Sequence, residues 1–107
     1  KVFVPQEGLA ATISELLVEI QASLLKRATE FRDANIHEPK DYDELKQIVT
    51  DGWAFTYWCE SRECEAKVKE DTKATTRNIP FNQPSEEGTC IVCGKPSKRK
   101  VYFAKAY

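Results

Sequence analysis

Four cysteines arranged in two pairs are the residues of this sequence whose type and spacing most directly indicate chemistry. Four residues separate Cys59 from Cys64, two separate Cys90 from Cys93, and 25 lie between the pairs. Two short loops that each supply two thiolates are the arrangement that a tetrahedral zinc site needs. The spacing therefore predicts one zinc ion bound by Cys59, Cys64, Cys90 and Cys93.

A metal held by four thiolates has no open coordination position, so the predicted zinc is structural rather than catalytic. Its binding energy would then be folding energy for the small region around it. Gly94 directly follows the second pair and allows a tight turn, in which backbone N–H groups can point at the sulfurs. A zinc tetrathiolate carries a net charge of about −2, which nearby basic residues would offset: Lys95, Lys98, Arg99 and Lys100.

Other interpretations of the cysteines stay open at this point. Two disulfides or four free thiols fit the same count, although a disulfide across two residues closes a strained loop that is typical of redox sites. A redox protein would use Cys90 and Cys93 as its dithiol. A free-standing zinc ribbon would bind nucleic acid through residues 95–100 and the aromatic residues of 53–58. The net charge of −1 excludes a chain that binds nucleic acid over its whole surface.

The sequence contains none of the common catalytic motifs. It has no glycine-rich phosphate loop, no Gly-x-Ser-x-Gly, and no histidine and carboxylate set spaced for nucleophilic catalysis. His37, the only histidine, is interpreted as a surface residue in a linker. Glu65, Glu70 and Asp71 are interpreted as exposed helix charges. We therefore expect this chain alone to have no catalytic activity.

The elements that must position the cysteines follow from the apolar pattern. Apolar residues at steps of three and four predict a long helix from Leu9 to about Ile36, with an apolar stripe that needs a partner. A short linker follows. A second helix is predicted for residues 41–52, with Asp41 as its N-cap and Glu44 completing a capping box.

The rest of the chain is predicted to be three strands and a short helix around the cysteines. The strands are 53–58, 75–81 (an edge strand, because it contains a proline) and 100–107, the helix is 63–71, and 90–94 form a turn. Alternation along the first strand favours core or near-core positions over base stacking for Trp53, Phe55, Tyr57 and Trp58.

Composition and pattern together predict an α+β fold, in which a long N-terminal helix precedes a small mixed α/β domain with a four-cysteine structural zinc site. The domains are predicted as residues 1–40 and 41–107. Hydrophobic residues make up 41 % of the 107, and no apolar run approaches the ~20 residues of a membrane helix. The start at Lys1 has no signal-peptide pattern, and because methionine is absent we expect a piece of a longer chain.

Several segments taken together resemble a known family. They are WAFTYWCESRECE, KVKEDTKATTRNIPF, CIVCGKP and FAKAY, preceded by LLVEIQASLLKRATEFRDANI. In this combination the chain is similar to the C-terminal zinc-binding domain of prolyl-tRNA synthetases of the archaeal and eukaryote-type branch. The resemblance covers the chain from about Leu9 to Tyr107.

The resemblance implies that the chain is a structural module of a proline–tRNA ligase, a class II aminoacyl-tRNA synthetase. The full enzyme would use ATP and Mg²⁺ to activate proline and then esterify tRNA(Pro). Its catalytic and anticodon-binding domains, with the ATP and Mg²⁺ sites, would lie outside this chain. The parent enzyme would be a cytoplasmic homodimer without a membrane partner.

The resemblance also implies site residues. The zinc would be structural, with Cys59, Cys64, Cys90 and Cys93 as ligands. The free carboxylate of Tyr107 would reach toward the catalytic domain of the parent enzyme, near its active site. The chain departs from the family where Glu60, Ser61 and Arg62 follow the first cysteine, because members often have glycine there. We therefore expect a different shape for this first loop.

Overall fold

The structure of the chain is a computed structural model that describes residues 1–106. The chain divides into two compact units, the first ending at Ala34 and the second beginning at Asn35. The domain boundary predicted between residues 40 and 41 stays a prediction. None of the helices within residues 1–106 combines the length and the hydropathy that crossing a bilayer requires.

The first unit contains one long helix, α1 (Leu9–Ala34), of 26 residues. Gly8, at a φ of +69°, starts it, and its carbonyl accepts bonds from the backbone N and the hydroxyl of Thr12. The predicted long helix is confirmed. No residue of α1 is buried, and the side chains of its apolar stripe are open to solvent, Leu17 at 62 % and Leu24 at 58 %.

The second unit is built on a four-stranded sheet. In chain order its elements are β1 (Ile36–His37), α2 (Tyr42–Ile48), β2 (Trp53–Tyr57), α3 (Arg62–Thr72), β3 (Ala74–Thr76), β4 (Gly88–Thr89), β5 (Pro96–Ser97) and β6 (Lys100–Lys105). The strand order of the sheet is β1-β2-β6-β3, and β4 pairs with β5 in a separate hairpin. The fold is thus the mixed α+β arrangement that the sequence predicted.

The two central strands set the register of the sheet. Strand β2 runs antiparallel to β6, with Phe55 opposite Tyr102 and Ala54 opposite Phe103. Strand β3 is antiparallel to the other side of β6, whereas β1 is parallel to β2. β3 forms an edge, as predicted, but it ends at Thr76 and does not reach Phe81, so the proline on which that prediction rested lies outside the strand.

One face of the sheet carries the hydrophobic core. The buried cluster comes from α2 and the residue after it, from α3, and from β2, β3 and β6. It consists of Leu45, Val49, Ala54, Val68, Ala74, Val101 and Phe103. Side chains alternate along a strand, so the core face of β2 holds the small residues Ala54 and Thr56. Trp58, just beyond β2, packs against this core as predicted.

The aromatic residues of β2 itself lie on the opposite face, which corrects part of the sequence-based prediction. Trp53 is 42 % exposed, and Phe55 and Tyr57 are half-buried. Phe55 stacks on Tyr102 of β6 with ring centroids 4.5 Å apart. Positions 53, 55 and 57 share one strand face, so the predicted core or near-core position is confirmed for Trp58 but not for these three residues.

Local signals at the helix ends are mostly confirmed. The Asp41 carboxylate accepts a hydrogen bond from the backbone N of Glu44 at 2.8 Å, and the Glu44 carboxylate accepts one from the N of Lys40 at 2.9 Å. Helix α2 ends at Ile48, earlier than predicted. The linker predicted for residues 37–40 begins with a strand residue, because His37 forms β1 together with Ile36, beside β2.

Two helix carboxylates have structural partners, which differs from their interpretation as plain surface charges. The Glu65 carboxylate accepts bonds from the backbone N and the hydroxyl of Thr76, so α3 is joined to β3. The Asp71 carboxylate accepts a 2.8 Å bond from the hydroxyl of Tyr42, so α3 is also joined to α2. Burial and this bond raise the pKa of Tyr42 above its ordinary value.

Candidate metal centre

The four cysteine sulfurs converge at one point of the second unit. Cys59 Sγ lies 3.6 Å from Cys64 Sγ and 3.6 Å from Cys93 Sγ. All four sulfurs, Cys90 included, lie within 4.8 Å of one another. Within residues 1–106 this is the one group of three or more histidine, cysteine or acidic side chains so placed.

Three separate pieces of backbone position the four sulfurs. Cys59 follows the end of β2, and Cys64 lies in the first turn of α3, whose N-cap Ser61 accepts a bond from the backbone N of Glu63. Cys90 and Cys93 lie in the turn between β4 and β5, as predicted. The turn is closed by a 2.9 Å bond from the N of Gly94, at a φ of +72°, to the Cys90 carbonyl.

The two halves of the site are joined by hydrogen bonds to the backbone carbonyls that precede Cys59. The N of Ile91 donates to the carbonyl of Tyr57 at 3.1 Å. The Ser97 hydroxyl, on a buried side chain, donates to the Trp58 carbonyl at 2.6 Å. Gly88 lies against Tyr57, where an added Cβ would come 2.3 Å from the ring. Sequence reasoning missed Ser97 and Gly88, because only long-range contacts give them a role.

Backbone N–H groups point at two of the sulfurs, as the glycine in the turn suggested. The N–H of Lys95 donates to Cys93 and lowers its pKa to about 7. The N–H of Ser61 donates to Cys59, although burial outweighs this bond and raises the Cys59 pKa. Burial also raises the pKa of Cys64. Such N–H donors stabilise thiolates, which is the form that binds metal.

The first loop, between Cys59 and Cys64, contains a residue in an unusual backbone conformation. Glu60 has a φ of +63°, a left-handed conformation that favours glycine. A non-glycine residue there costs on the order of 1–2 kcal/mol. Its carboxylate lies 3.2 Å from the Arg99 guanidinium. The four sulfurs converge with Glu60 in this conformation. The different shape expected for this loop relative to the family stays a prediction.

The spacing of the four sulfurs fits a tetrahedral metal better than it fits two disulfides. Zinc–sulfur bonds of about 2.3 Å at tetrahedral angles place the sulfurs about 3.8 Å apart, close to the 3.6 Å observed. A disulfide needs about 2.05 Å, and all four cysteines are free thiols. When bound, a metal here would cross-link β2, α3 and the β4–β5 turn through four thiolates.

The basic run after the second cysteine pair is largely balanced by acidic residues. The ion pairs are Lys98–Glu87, Arg99–Glu60 and Lys100–Glu38, with N–O distances of 3.2, 3.2 and 3.1 Å. Lys100 Nζ also lies 5.2 Å from the ring centroid of Phe55 and 5.1 Å from that of Tyr57. These contacts weaken the nucleic-acid interpretation, because Lys98, Arg99 and Lys100 already have acidic partners in the same unit.

Two further sequence predictions concern residues away from the sulfurs. His37 lies in β1 with an exposed side chain and is not part of the four-sulfur group. Tyr107, assigned a role through its carboxylate, lies outside the described residues.

We expect zinc binding to release at least two protons at pH 7. The thiols of Cys59 and Cys64 have raised pKa values and are protonated without metal, whereas Cys93, with a pKa of about 7, is about half ionised. Because the bound sulfurs are thiolates, the metal-bound state holds fewer protons, so affinity should rise with pH and fall with acidification. Calorimetric titration in buffers of different ionisation enthalpy measures the count. A release near zero would contradict the thiolate ligand set.

The fold and the sulfur cluster define a small α+β domain with a candidate four-thiolate metal centre. Residues 42–107 match the family model described as "Prolyl-tRNA synthetase, C-terminal". The chain belongs to this family of prolyl-tRNA synthetase C-terminal domains.

Individual relatives agree with the family. The chain is similar to the proline–tRNA ligases of Roseiflexus castenholzii, at 47 % identity, and of Cytophaga hutchinsonii, at 48 %, with 100 % of this chain and 22 % of either relative covered. A crystal structure of prolyl-tRNA synthetase from Cryptosporidium parvum, complexed with L-proline and AMP, aligns with a TM-score of 0.89 at 28 % identity, over 97 % of this chain and 23 % of that one. The chain thus spans about a fifth of the length of its relatives.

Proposed function

We propose that the chain is the C-terminal structural module of a proline–tRNA ligase, which uses ATP to attach proline to tRNA(Pro). The observation that carries this proposal is the family match over residues 42–107 together with relatives named proline–tRNA ligase at 47 % and 48 % identity. Proline, ATP, Mg²⁺ and tRNA would bind to parts of the enzyme outside this chain. The module would contribute shape and docking surface rather than catalytic groups.

The metal of the module is proposed to be zinc with a structural role. Four thiolates are the ligand set of closed structural zinc sites, and the sulfur spacing supports this choice. Metal analysis and thiol titration of the purified chain test it. One zinc per chain with no reactive thiols is expected, and four reactive thiols in a stable fold would contradict it.

The exposed stripe on α1 supports a role inside a larger enzyme. Isolated helices depend on packing for most of their stability, yet Ile13, Leu17, Ile20 and Leu24 are all between 46 and 62 % exposed. We propose that other domains of the parent enzyme cover this stripe.

We also propose that the parent enzyme belongs to the archaeal and eukaryote-type branch, which the likeness to a Cryptosporidium enzyme supports. The parent is further proposed to be a homodimer and to be located in the cytoplasm.

The longer protein that carries this sequence provides the test of function. It is expected to catalyse proline-dependent exchange between ATP and pyrophosphate and to charge tRNA(Pro). Alanine in place of proline, and a tRNA for another amino acid, are the matched controls. Absence of both activities in a folded, metal-loaded protein would contradict the proposal.

Deleting Ala106 and Tyr107 from the longer protein is expected to reduce prolyl-adenylate formation more than folded yield. The reason is the proposed position of the Tyr107 carboxylate near the parent active site, where a buried charge would need donors from another domain. Exchange rate per mole of folded protein is the measurement, and Lys105→Ala, which keeps Ala106 and Tyr107, is the control. Unchanged exchange after the deletion would refute the role of Tyr107.

A further inference from the structure

A fully exposed phenylalanine lies in the segment between β3 and β4. The side chain of Phe81 is 106 % exposed, and that of its near neighbour Ile79 is 37 % exposed. The aromatic rings of Phe55 and Phe103, by contrast, pack against other rings of the unit. Phe81 therefore presents a complete apolar ring to the surroundings of the second unit.

The backbone around Phe81 is held in a fixed shape. The side-chain amide of Gln83 donates to the Pro80 carbonyl at 2.7 Å and to the Lys100 carbonyl at 3.1 Å, and accepts from the N of Lys100 at 2.8 Å. On the other side, the N of Tyr102 donates to the Asn78 carbonyl at 3.2 Å. Both flanks of Phe81 are thus hydrogen-bonded to β6, and Pro80 further restricts the chain.

A rigid loop that exposes an apolar ring has the properties of an interface anchor. Aromatic side chains supply much of the energy of interfaces, and a loop already held in shape loses little entropy on binding. We propose that Phe81, assisted by Ile79, docks the second unit into an apolar pocket in the rest of the synthetase chain. This inference rests on the function proposed above.

The exposed apolar surface of Phe81 and Ile79 is small, which is the reason to propose that the surface they contact belongs to the same polypeptide. Within residues 35–106 the exposed large hydrophobic side chains are Trp53, Ile79 and Phe81. Separate chains that form a stable complex bury roughly 1,200–2,000 Å², which is more than two side chains can cover. A domain tethered in the same chain meets its partner at an effective concentration near the millimolar range, so a small contact is enough. In the relative from Roseiflexus castenholzii, the segment that matches this chain is 22 % of one longer polypeptide, so there the matching segment is covalently linked to the rest of the enzyme.

The test is hydrogen exchange in the longer protein. Phe81→Ser is expected to speed exchange of the backbone amides of residues 79–87 by about tenfold or more, since losing a buried aromatic ring is worth at least a tenfold change in an equilibrium. Phe81→Leu should retain most of the protection. Asn82→Ala, which changes an exposed polar neighbour, is the matched control and should leave exchange unchanged.

Other outcomes separate the possible explanations. Equal exchange in wild type and Phe81→Ser would overturn the docking role, even if the longer wild-type protein charges tRNA(Pro). If the longer wild-type protein does not charge tRNA(Pro), the proposed function is refuted. The docking role of Phe81 is then judged separately, by whether Phe81→Ser changes the exchange rates. A dimer of the 107-residue chain that Phe81→Ser converts to monomer would identify a second copy as the occupant, which would also overturn the inference.

Discussion

Replacing Cys90 with serine is expected to remove the bound metal and the cooperative unfolding of the second unit. Cys90 is 2 % exposed and its backbone closes the turn that holds Cys93. A serine hydroxyl is not ionised near neutral pH, so one of four ligands is lost. Apparent binding energies of structural zinc are about 10–16 kcal/mol in small domains, whereas a whole domain is stable by about 5–15 kcal/mol. Loss of the metal can therefore unfold the unit.

The measurement combines metal analysis with thermal unfolding followed by tryptophan fluorescence. Trp58 packs against the core and reports its loss. Ser85→Ala, in the exposed loop before β4, is the matched control and should keep both the metal and the transition. If Cys90→Ser melts as the wild type does, the hydrophobic core stabilises the unit without metal. The prediction that metal binding by the cysteines supplies folding energy would then be wrong.

The features that sequence could predict are those fixed by neighbouring residues. The apolar repeat of α1, the cap at Asp41 and the turn between Cys90 and Cys93 each depend on a few adjacent positions, and the structure confirms them. The cysteine spacing also predicted that four sulfurs would meet, and they do. Their role as metal ligands stays a prediction.

The features that sequence could not predict depend on residues far apart in the chain. Strand β1 exists because Ile36 pairs with Trp53, and no local pattern of two residues indicates a strand. The side of the sheet that faces the core depends on where α2 and α3 pack, so alternation alone could not place Phe55. Gln83 holds the loop around Phe81 by bonding to Lys100, 17 positions away.

The loop after Cys59 shows that a strained residue can lie between two of the cysteines while their sulfurs stay close together. Glycine is the residue favoured at a φ of +63°. Glu60 instead keeps the left-handed conformation, and the sulfurs of Cys59 and Cys64 remain 3.6 Å apart. Long-range bonds at Tyr57 and Trp58 fix the backbone before Glu60, and the N-cap bonds of Ser61 fix it after, so the site tolerates strain of this size.

Replacing Phe103 with alanine is expected to lower the free energy of unfolding of the second unit by about 3–5 kcal/mol. Phe103 is 0 % exposed and lies in β6 between Ala54 of β2 and Thr76 of β3. Its ring meets that of Trp58 edge to face, with centroids 6.5 Å apart. The substitution leaves a cavity at the centre of the core, where the sheet and two helices cannot collapse to fill it.

Phe81→Ala in the same 107-residue chain is the matched control, because it removes the same side chain from a position that is 106 % exposed. Its effect should be below about 0.5 kcal/mol, as for most surface substitutions. Urea unfolding at saturating zinc gives both values. Because metal binding and folding are coupled, Phe103→Ala should also weaken the apparent zinc affinity although it removes no ligand. Equal stability of the two variants would mean that the metal, rather than the apolar core, supplies nearly all of the stability of this unit.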